Sequence, residues 1–166
     1  MASRKLSDLE PDTREKVYNM KEASNKAGFS FLIYCTYRDF VEQAKLFREG
    51  RTLAKIMVKV DELDRKWNRP DLSQILIDVG PQMGDKIKTY AGPGQSNHHY
   101  HLALDGCPMV GGKPVWSKKD PLWQTYGKIA MASGLEWAGT WRSFKEFPHL
   151  QAPDANWRDF IREGAQ

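Results

Sequence analysis

Three of the four histidines stand within four residues of each other, in Ser96-Asn97-His98-His99-Tyr100-His101, a stretch that runs on through Leu102-Ala103-Leu104-Asp105. The fourth, His149, lies far downstream in Glu146-Phe147-Pro148-His149. Imidazole is the commonest protein ligand for zinc, and a catalytic zinc usually takes three protein groups, often two histidines and a carboxylate, leaving one position for water. His98, Asp105 and His149 would supply that set. A zinc hydrolase also needs a carboxylate that is not a ligand, to take a proton from the metal-bound water and deliver it to the leaving amine. Glu146 suits that task, and Pro148 discourages a helix between it and His149. A solvated charge beside Lys145 is the plain alternative.

Other residues add to the chemistry. Arg38 follows an apolar stretch, where a guanidinium can clamp a substrate carboxylate with two hydrogen bonds; an ion pair with Asp39 or Glu42 is the competing reading. Ser96 could donate a hydrogen bond to substrate, or simply serve a turn. Cys107 lies two residues past Asp105 but lacks the CxxC companion of structural zinc sites, so Cys35 and Cys107 read as free thiols. In a strand, His99, His101, Ala103 and Asp105 would share a face that His98 does not. If the strand starts only after Tyr100, parity places no constraint on His98, and periodicity does not decide between the two.

These residues need elements to hold them. Ser7 to Ala27 is predicted as a helix, with Leu9, Val17, Met20 and Ala23 or Ala27 on one face, Pro11 in its first turn and Gly28 as its stop. Phe29 to Tyr37 reads as a buried strand ending at Arg38. Asp39 to Glu49 is a second helix with Phe40, Ala44 and Phe47 inward and Gly50 as cap. Residues 53–67 form another, with Leu53, Ile56, Val60, Leu63 and Trp67 inward, broken at Asn68-Arg69-Pro70. Asp71 to Val79 suits a short helix or a strand. Tyr100 to Leu104 has strand character, Val110 to Lys113 reads as a hairpin turn and Pro114 to Trp116 as its return strand. Asp120 to Ser133 is a last helix stopped by Gly134, and Leu135-Glu136-Trp137 opens a final strand region. The six tryptophans, including Trp137 and Trp141, are mainly core candidates. This order lacks the regular alternation of a doubly wound sheet and predicts an α+β fold around a small antiparallel sheet.

At 166 residues the chain suits one domain with its own core. No apolar run is long enough to span a bilayer, so no membrane insertion is expected. The basic start lacks the apolar stretch of a secretory signal. A net charge of +4 and pI near 9.0 favour anionic polymers, but Lys and Arg are scattered, without the stripe that a metal-dependent nuclease or other nucleic-acid binder would carry.

Thr36-Tyr37-Arg38 with Glu42-Gln43 and Leu46, then Ser96-x-His98 through Ala103-x-Asp105, then Gly134-Leu135-Glu136-Trp137 with Trp141 to Pro148-His149, run in the order of a known family. The chain resembles the zinc-dependent peptidoglycan peptidases, which include D-alanyl-D-alanine carboxypeptidases and phage L-alanyl-D-glutamate endopeptidases. That resemblance implies a hedgehog-like sheet with the zinc site upon it, His98, Asp105 and His149 as Zn2+ ligands, and Glu146 as general base and acid. It also implies Arg38 at a substrate carboxylate or the scissile carbonyl, and Ser96 beside the site. The chain looks most like the phage endolysin branch: a monomer made in the host cytoplasm without a signal peptide, helped to the wall by a holin, and cutting the stem peptide at L-alanyl-D-glutamate. D-alanyl-D-alanine carboxypeptidase is the alternative, and a non-catalytic wall-binding module is disfavoured by the full set of site residues. Two departures stand out. His101 replaces a usual Gly, where it would crowd the metal or share the face of Asp105, and residues 53–87 form a longer connection, read as a helical insertion within a single catalytic domain of residues 1–166.

Overall fold

Leu104 and Asp105 point to opposite faces of one strand, and that alternation organises the sheet. The computed structural model describes residues 2–84 and 86–162; Met1, Asp85 and 163–166 lie outside the described residues, so the insertion expected over 53–87 is described apart from Asp85. The described chain forms two compact units, one of residues 2–37 and 101–155, the other of 38–100 and 156–162.

The first unit holds α1 (Pro11–Lys26), β1 (Ser30–Cys35), β2 (Ala103–Val110), β3 (Lys113–Pro114), α5 (Leu122–Ala132), β4 (Glu136–Trp137) and β5 (His149–Gln151). Its strands are antiparallel in the order β1-β2-β5-β4, with β3 pairing β2. The register sets Leu104, Leu150 and Trp137 in one row, and all three join Val17, Met20, Trp123, Tyr126 and Ala130 in a core built with α1 and α5. A neighbouring row aligns Cys35, Asp105 and His149, and another aligns Ala103, Gln151 and Glu136. Opposed residues share a face, so the metal-binding types and Gln151 emerge on the side away from that core.

α1 starts at Pro11, whose missing N–H costs nothing at a first turn, and Glu10 caps it by accepting from the Thr13 amide at 3.2 Å. A separate 3₁₀ turn covers Leu6–Asp8, so the expected helix from Ser7 is two elements, and its buried face is Thr13, Val17, Met20 and Ser24 rather than one including Ala27. The hairpin tip is Gly111-Gly112, both at positive φ (56° and 76°), the backbone a two-residue hairpin turn needs. The return strand is shorter than expected, Lys113–Pro114.

The second unit holds α2 (Phe40–Arg48), α3 (Leu53–Asp61) and α4 (Pro70–Val79) around Ala44, Phe47, Ile56, Val60, Leu63, Trp67, Leu72, Leu76 and Ile161. Asp39 caps α2 through the Glu42 amide at 2.7 Å, and Thr52 caps α3 through the Lys55 amide at 3.4 Å. The helix expected over 53–67 is α3 followed by a π turn at Glu62–Lys66, and Leu53 is 57% exposed instead of inward. Pro70 does not only end one helix; it starts α4, which resolves Asp71 to Val79 as helix. No helix among the described residues is long and apolar enough to cross a membrane.

Candidate functional site

In the sheet unit, register brings Asp105 and His149 face to face, with His149 Nδ1 3.2 Å from Asp105 Oδ1. The other ring nitrogen, Nε2, lies 3.1 Å from Gln151 Oε1. Gln151 Nε2 donates to Glu136 Oε2 at 3.2 Å, and Trp141 Nε1 donates to Glu136 Oε1 at 2.7 Å. The Trp141 ring also lies against the imidazole, centroids 5.6 Å apart. His149 is therefore fixed from both nitrogens and one side. Burial works to lower its pKa, but the carboxylates of Asp105 and Glu146 and the Gln151 contact outweigh burial and raise it.

Glu146 reaches this pair through a turn, in which the His149 amide donates to the Glu146 carbonyl at 3.2 Å. Side chains from the core pin that turn. Trp137 Nε1 donates to the Phe147 carbonyl at 2.8 Å, and the Pro148 carbonyl accepts from the Gly106 amide at 3.0 Å and the Tyr126 hydroxyl at 3.3 Å. Trp137 in turn lies against two glycines, since a Cβ on Gly127 or Gly139 would come within 2.1 or 2.2 Å of its indole.

The chemistry of the donor set fits zinc. A carboxylate oxygen and an imidazole nitrogen converge, and two ligands at about 2.0–2.2 Å from a tetrahedral ion stand about 3.4 Å apart, close to the separation found. The second ring nitrogen is engaged by Gln151, as metal-ligating histidines usually require. Cys35, the register partner of Asp105, places its Sγ within 4.8 Å of that carboxylate. Cys107, two residues past Asp105, is instead buried with Sγ directed to the Pro108 and Val115 carbonyls at 3.5 and 3.4 Å, and burial pushes its pKa up. Cys35 and Cys107 are both buried thiols, not joined in a disulfide.

In the helical unit, Arg38 directs its Nη1 to Gln43 Oε1 at 3.0 Å, and Gln43, only 1% exposed, donates to the Ala91 carbonyl at 2.8 Å. His98 and His99 lie in a 3₁₀ turn, Asn97–Tyr100, and both are buried. Ser96 Oγ accepts from the His98 amide at 3.4 Å, a turn role, and the Ser96 carbonyl accepts from the His99 amide at 3.1 Å. His99 Nδ1 lies 2.6 Å from the Arg38 carbonyl oxygen. Burial first, with the charges of His98 and Arg38 adding, lowers the His99 pKa to about 4. The loop ahead of the turn is tied to the π turn, with Gln95 donating to Glu62 at 2.8 Å and Lys59 bonding both Gln95 at 2.9 Å and Glu62 at 2.6 Å.

The structure thus brings together Asp105, His149 and Glu146 in one unit, and Arg38 and the His98 turn with Ser96 in the other. His101 falls between turn and strand at φ 62°, outside the alternation of β2, so it does not follow the parity of Asp105. It is exposed, stacked on Tyr37 at 4.9 Å and 11°, with Nδ1 2.5 Å from the Asp8 carbonyl oxygen. A positive φ is what makes Gly natural at this position, and the stacking shows how an imidazole is accommodated there instead. Gln151, Glu136 and Gln43 join these networks without any ligand or catalytic spacing of their own in the sequence. The alternation Leu150-Gln151 after His149 was the available signal for Gln151.

Two family models, both described as D-alanyl-D-alanine carboxypeptidase, match the chain, one over residues 6–119 and the other over 90–152. The peptidoglycan L-alanyl-D-glutamate endopeptidase CwlK of Bacillus subtilis (strain 168) is 30% identical over 155 residues, spanning 87% of this chain and 74% of CwlK. The L-Ala D-Glu endopeptidase ChiX of Serratia marcescens has a similar fold, with TM-score 0.52 and 16% identity over 97% of this chain and 92% of its own. The L,D-carboxypeptidase DacB from Streptococcus pneumonia aligns with TM-score 0.50 and 16% identity over 95% and 73%. The chain belongs to the family of zinc-dependent peptidoglycan peptidases that holds the D-alanyl-D-alanine carboxypeptidases and L-alanyl-D-glutamate endopeptidases.

Proposed function

We propose that this peptidoglycan peptidase cleaves the stem peptide at the L-alanyl-D-glutamate bond, with zinc held by His98, Asp105 and His149. The observation that carries the reading is the Asp105–His149 pair at 3.2 Å, with Glu146 delivered to it by the turn that ends at His149. Bound zinc would supply Lewis acidity and a water acidified to near neutral pH. Glu146 then takes a proton at its carboxylate and returns it to the leaving amine. Arg38, its side chain held by Gln43, meets a substrate carboxylate, and Ser96 shapes the turn beside it. The choice of bond rests on the similarity to CwlK, whose name gives that cleavage, and it comes to this chain as inference. The same machinery serves an endolysin role in which residues 1–166 act as a single catalytic domain, reach the wall with a holin and work as a monomer.

D-alanyl-D-alanine carboxypeptidase is the second reading, favoured by the family match over residues 6–119. Digestion of purified peptidoglycan with and without a chelator, followed by mass analysis, separates the two. New amino-terminal D-glutamate on released fragments supports the endopeptidase, free D-alanine supports the carboxypeptidase, and chelator-insensitive or absent products defeat both.

A further inference from the structure

Of the three clustered histidines, His99 has no task in the proposed chemistry, yet it is 3% exposed and adjoins a proposed ligand. Its Nδ1 lies 2.6 Å from the Arg38 carbonyl oxygen. A carbonyl only accepts, so Nδ1 carries the hydrogen. The opposite nitrogen, Nε2, is buried and has no hydrogen-bond partner among the described residues. The bond to Arg38 is therefore the ring's one hydrogen bond among them. A buried imidazole satisfied at only one nitrogen is a costly way to fill space, since an apolar side chain would leave no polar atom stranded.

The ring also packs on Phe40, the first residue of α2, with centroids 4.7 Å apart, and meets Tyr100 edge-on at 6.0 Å. His99 therefore grips the backbone at Arg38 and the side chain two residues on. The far end of Arg38 is held separately, by Gln43 at 3.0 Å. A long flexible side chain anchored at its origin and near its head loses little further freedom when it meets a carboxylate.

We propose that His99 is a positioning residue for substrate binding: its Nδ1–H fixes the Arg38 carbonyl and so sets where the guanidinium points. This rests on the reading of Arg38 as the carboxylate clamp. An asparagine side-chain amide nitrogen stands near where Nδ1 stands, whereas a glutamine's stands near Nε2, so His99→Asn, His99→Gln and His99→Leu form the test set. Steady-state kinetics on a soluble stem peptide, with zinc content and melting temperature measured alongside, provide the readout.

His99→Leu and His99→Gln should raise KM roughly tenfold with kcat within about twofold and zinc content unchanged, while His99→Asn stays within about twofold of the parent in KM. A folded His99→Leu with parental KM, an His99→Asn as defective as His99→Gln, or loss of zinc in any of them overturns the proposal. If His99→Leu does not fold, the Asn and Gln pair decides. Arg38→Lys separates the two layers: unchanged KM there removes the clamp and this inference together, whereas raised KM there beside a parental His99→Gln removes the inference alone.

Discussion

His149 Nδ1 and Asp105 Oδ1 stand 3.2 Å apart across the pairing of β2 with β5, both side chains largely withdrawn from solvent. Two adjacent antiparallel strands with a fixed register place donors of different chemistry more reproducibly than loops can, and the hydrophobic row next to them, Leu104 with Leu150, locks that register. A one-residue slip would turn Asp105 into the apolar core and Leu104 onto the site face.

Glu146→Gln keeps the size of the side chain and removes its basicity. Fragment release from peptidoglycan should fall by about 10²–10⁴-fold with zinc content retained. A variant with full activity would remove Glu146 as proton carrier.

Gln151→Leu breaks the link from His149 Nε2 to Glu136. Zinc affinity, read by competition with a chromogenic chelator, should weaken by about 10–100-fold, the usual effect of losing such an outer partner. Unchanged affinity would mean that Trp141 and Asp105 suffice to orient the ring.

His101 stands at φ 62°. His101→Gly relieves the backbone but gives up the stacking on Tyr37, so the net change in unfolding free energy should stay within about 1 kcal/mol. His101→Val, β-branched in a left-handed conformation, should be clearly less stable than His101→Gly. Equal stabilities in denaturant titrations would contradict this, and wild-type zinc affinity in His101→Gly would refute a tuning role at the metal.

Burial raises the pKa of Glu62, but hydrogen bonds from Lys59 and Gln95, the Lys59 charge and the Trp67 indole outweigh it, so the carboxyl titrates below its ordinary range. Its folded-state pKa is depressed, so its contribution is complete above the ordinary carboxylate range and is lost as pH falls through the folded value. Glu62→Gln should cost about 1–2 kcal/mol at pH 7, and the gap to the parent should close in acid. A gap that stays constant between neutral and acid pH in urea titrations would show that charge is not the cause.

Gly127→Ala would drive a methyl into the Trp137 ring, 2.1 Å from its nearest atom. Overpacking of this kind costs about 1–3 kcal/mol or more, and displacement of Trp137 should also loosen the turn at Phe147. Thermal unfolding together with activity would reveal both; an unaffected midpoint would argue against the close fit.

Much of this arrangement was legible in residue order. Helix faces such as Ala44 with Phe47, and the punctuation at Gly111-Gly112 and Gly134, follow from local rules, and α2, the hairpin and α5 appear close to where those rules put them. The failures have physical causes. Tyr100 looked like strand because it is aromatic and precedes an alternating run, but Asn97–Tyr100 closes as a 3₁₀ turn and His101 takes a left-handed backbone, which no propensity reveals. Leu53 looked inward because it fits the helical period, yet as the first residue of α3 it is exposed. Gln151 and Glu136 carry no local signal because their pairing forms only when β5 folds back on β4 across residues 138–148.

The stacking of His101 on Tyr37 bears on how the chain tolerates changes of length. Tyr37 and His101 are the residues of the sheet unit that flank the whole excursion from Arg38 to Tyr100, and their rings lie 4.9 Å apart. An excursion that departs and returns at touching points can lengthen, shorten or be exchanged without moving the ends of what hosts it, because closing that loop is already accomplished by the host. A change of length within residues 53–87 therefore leaves Tyr37, His101 and the Asp105–His149 row where the sheet unit holds them.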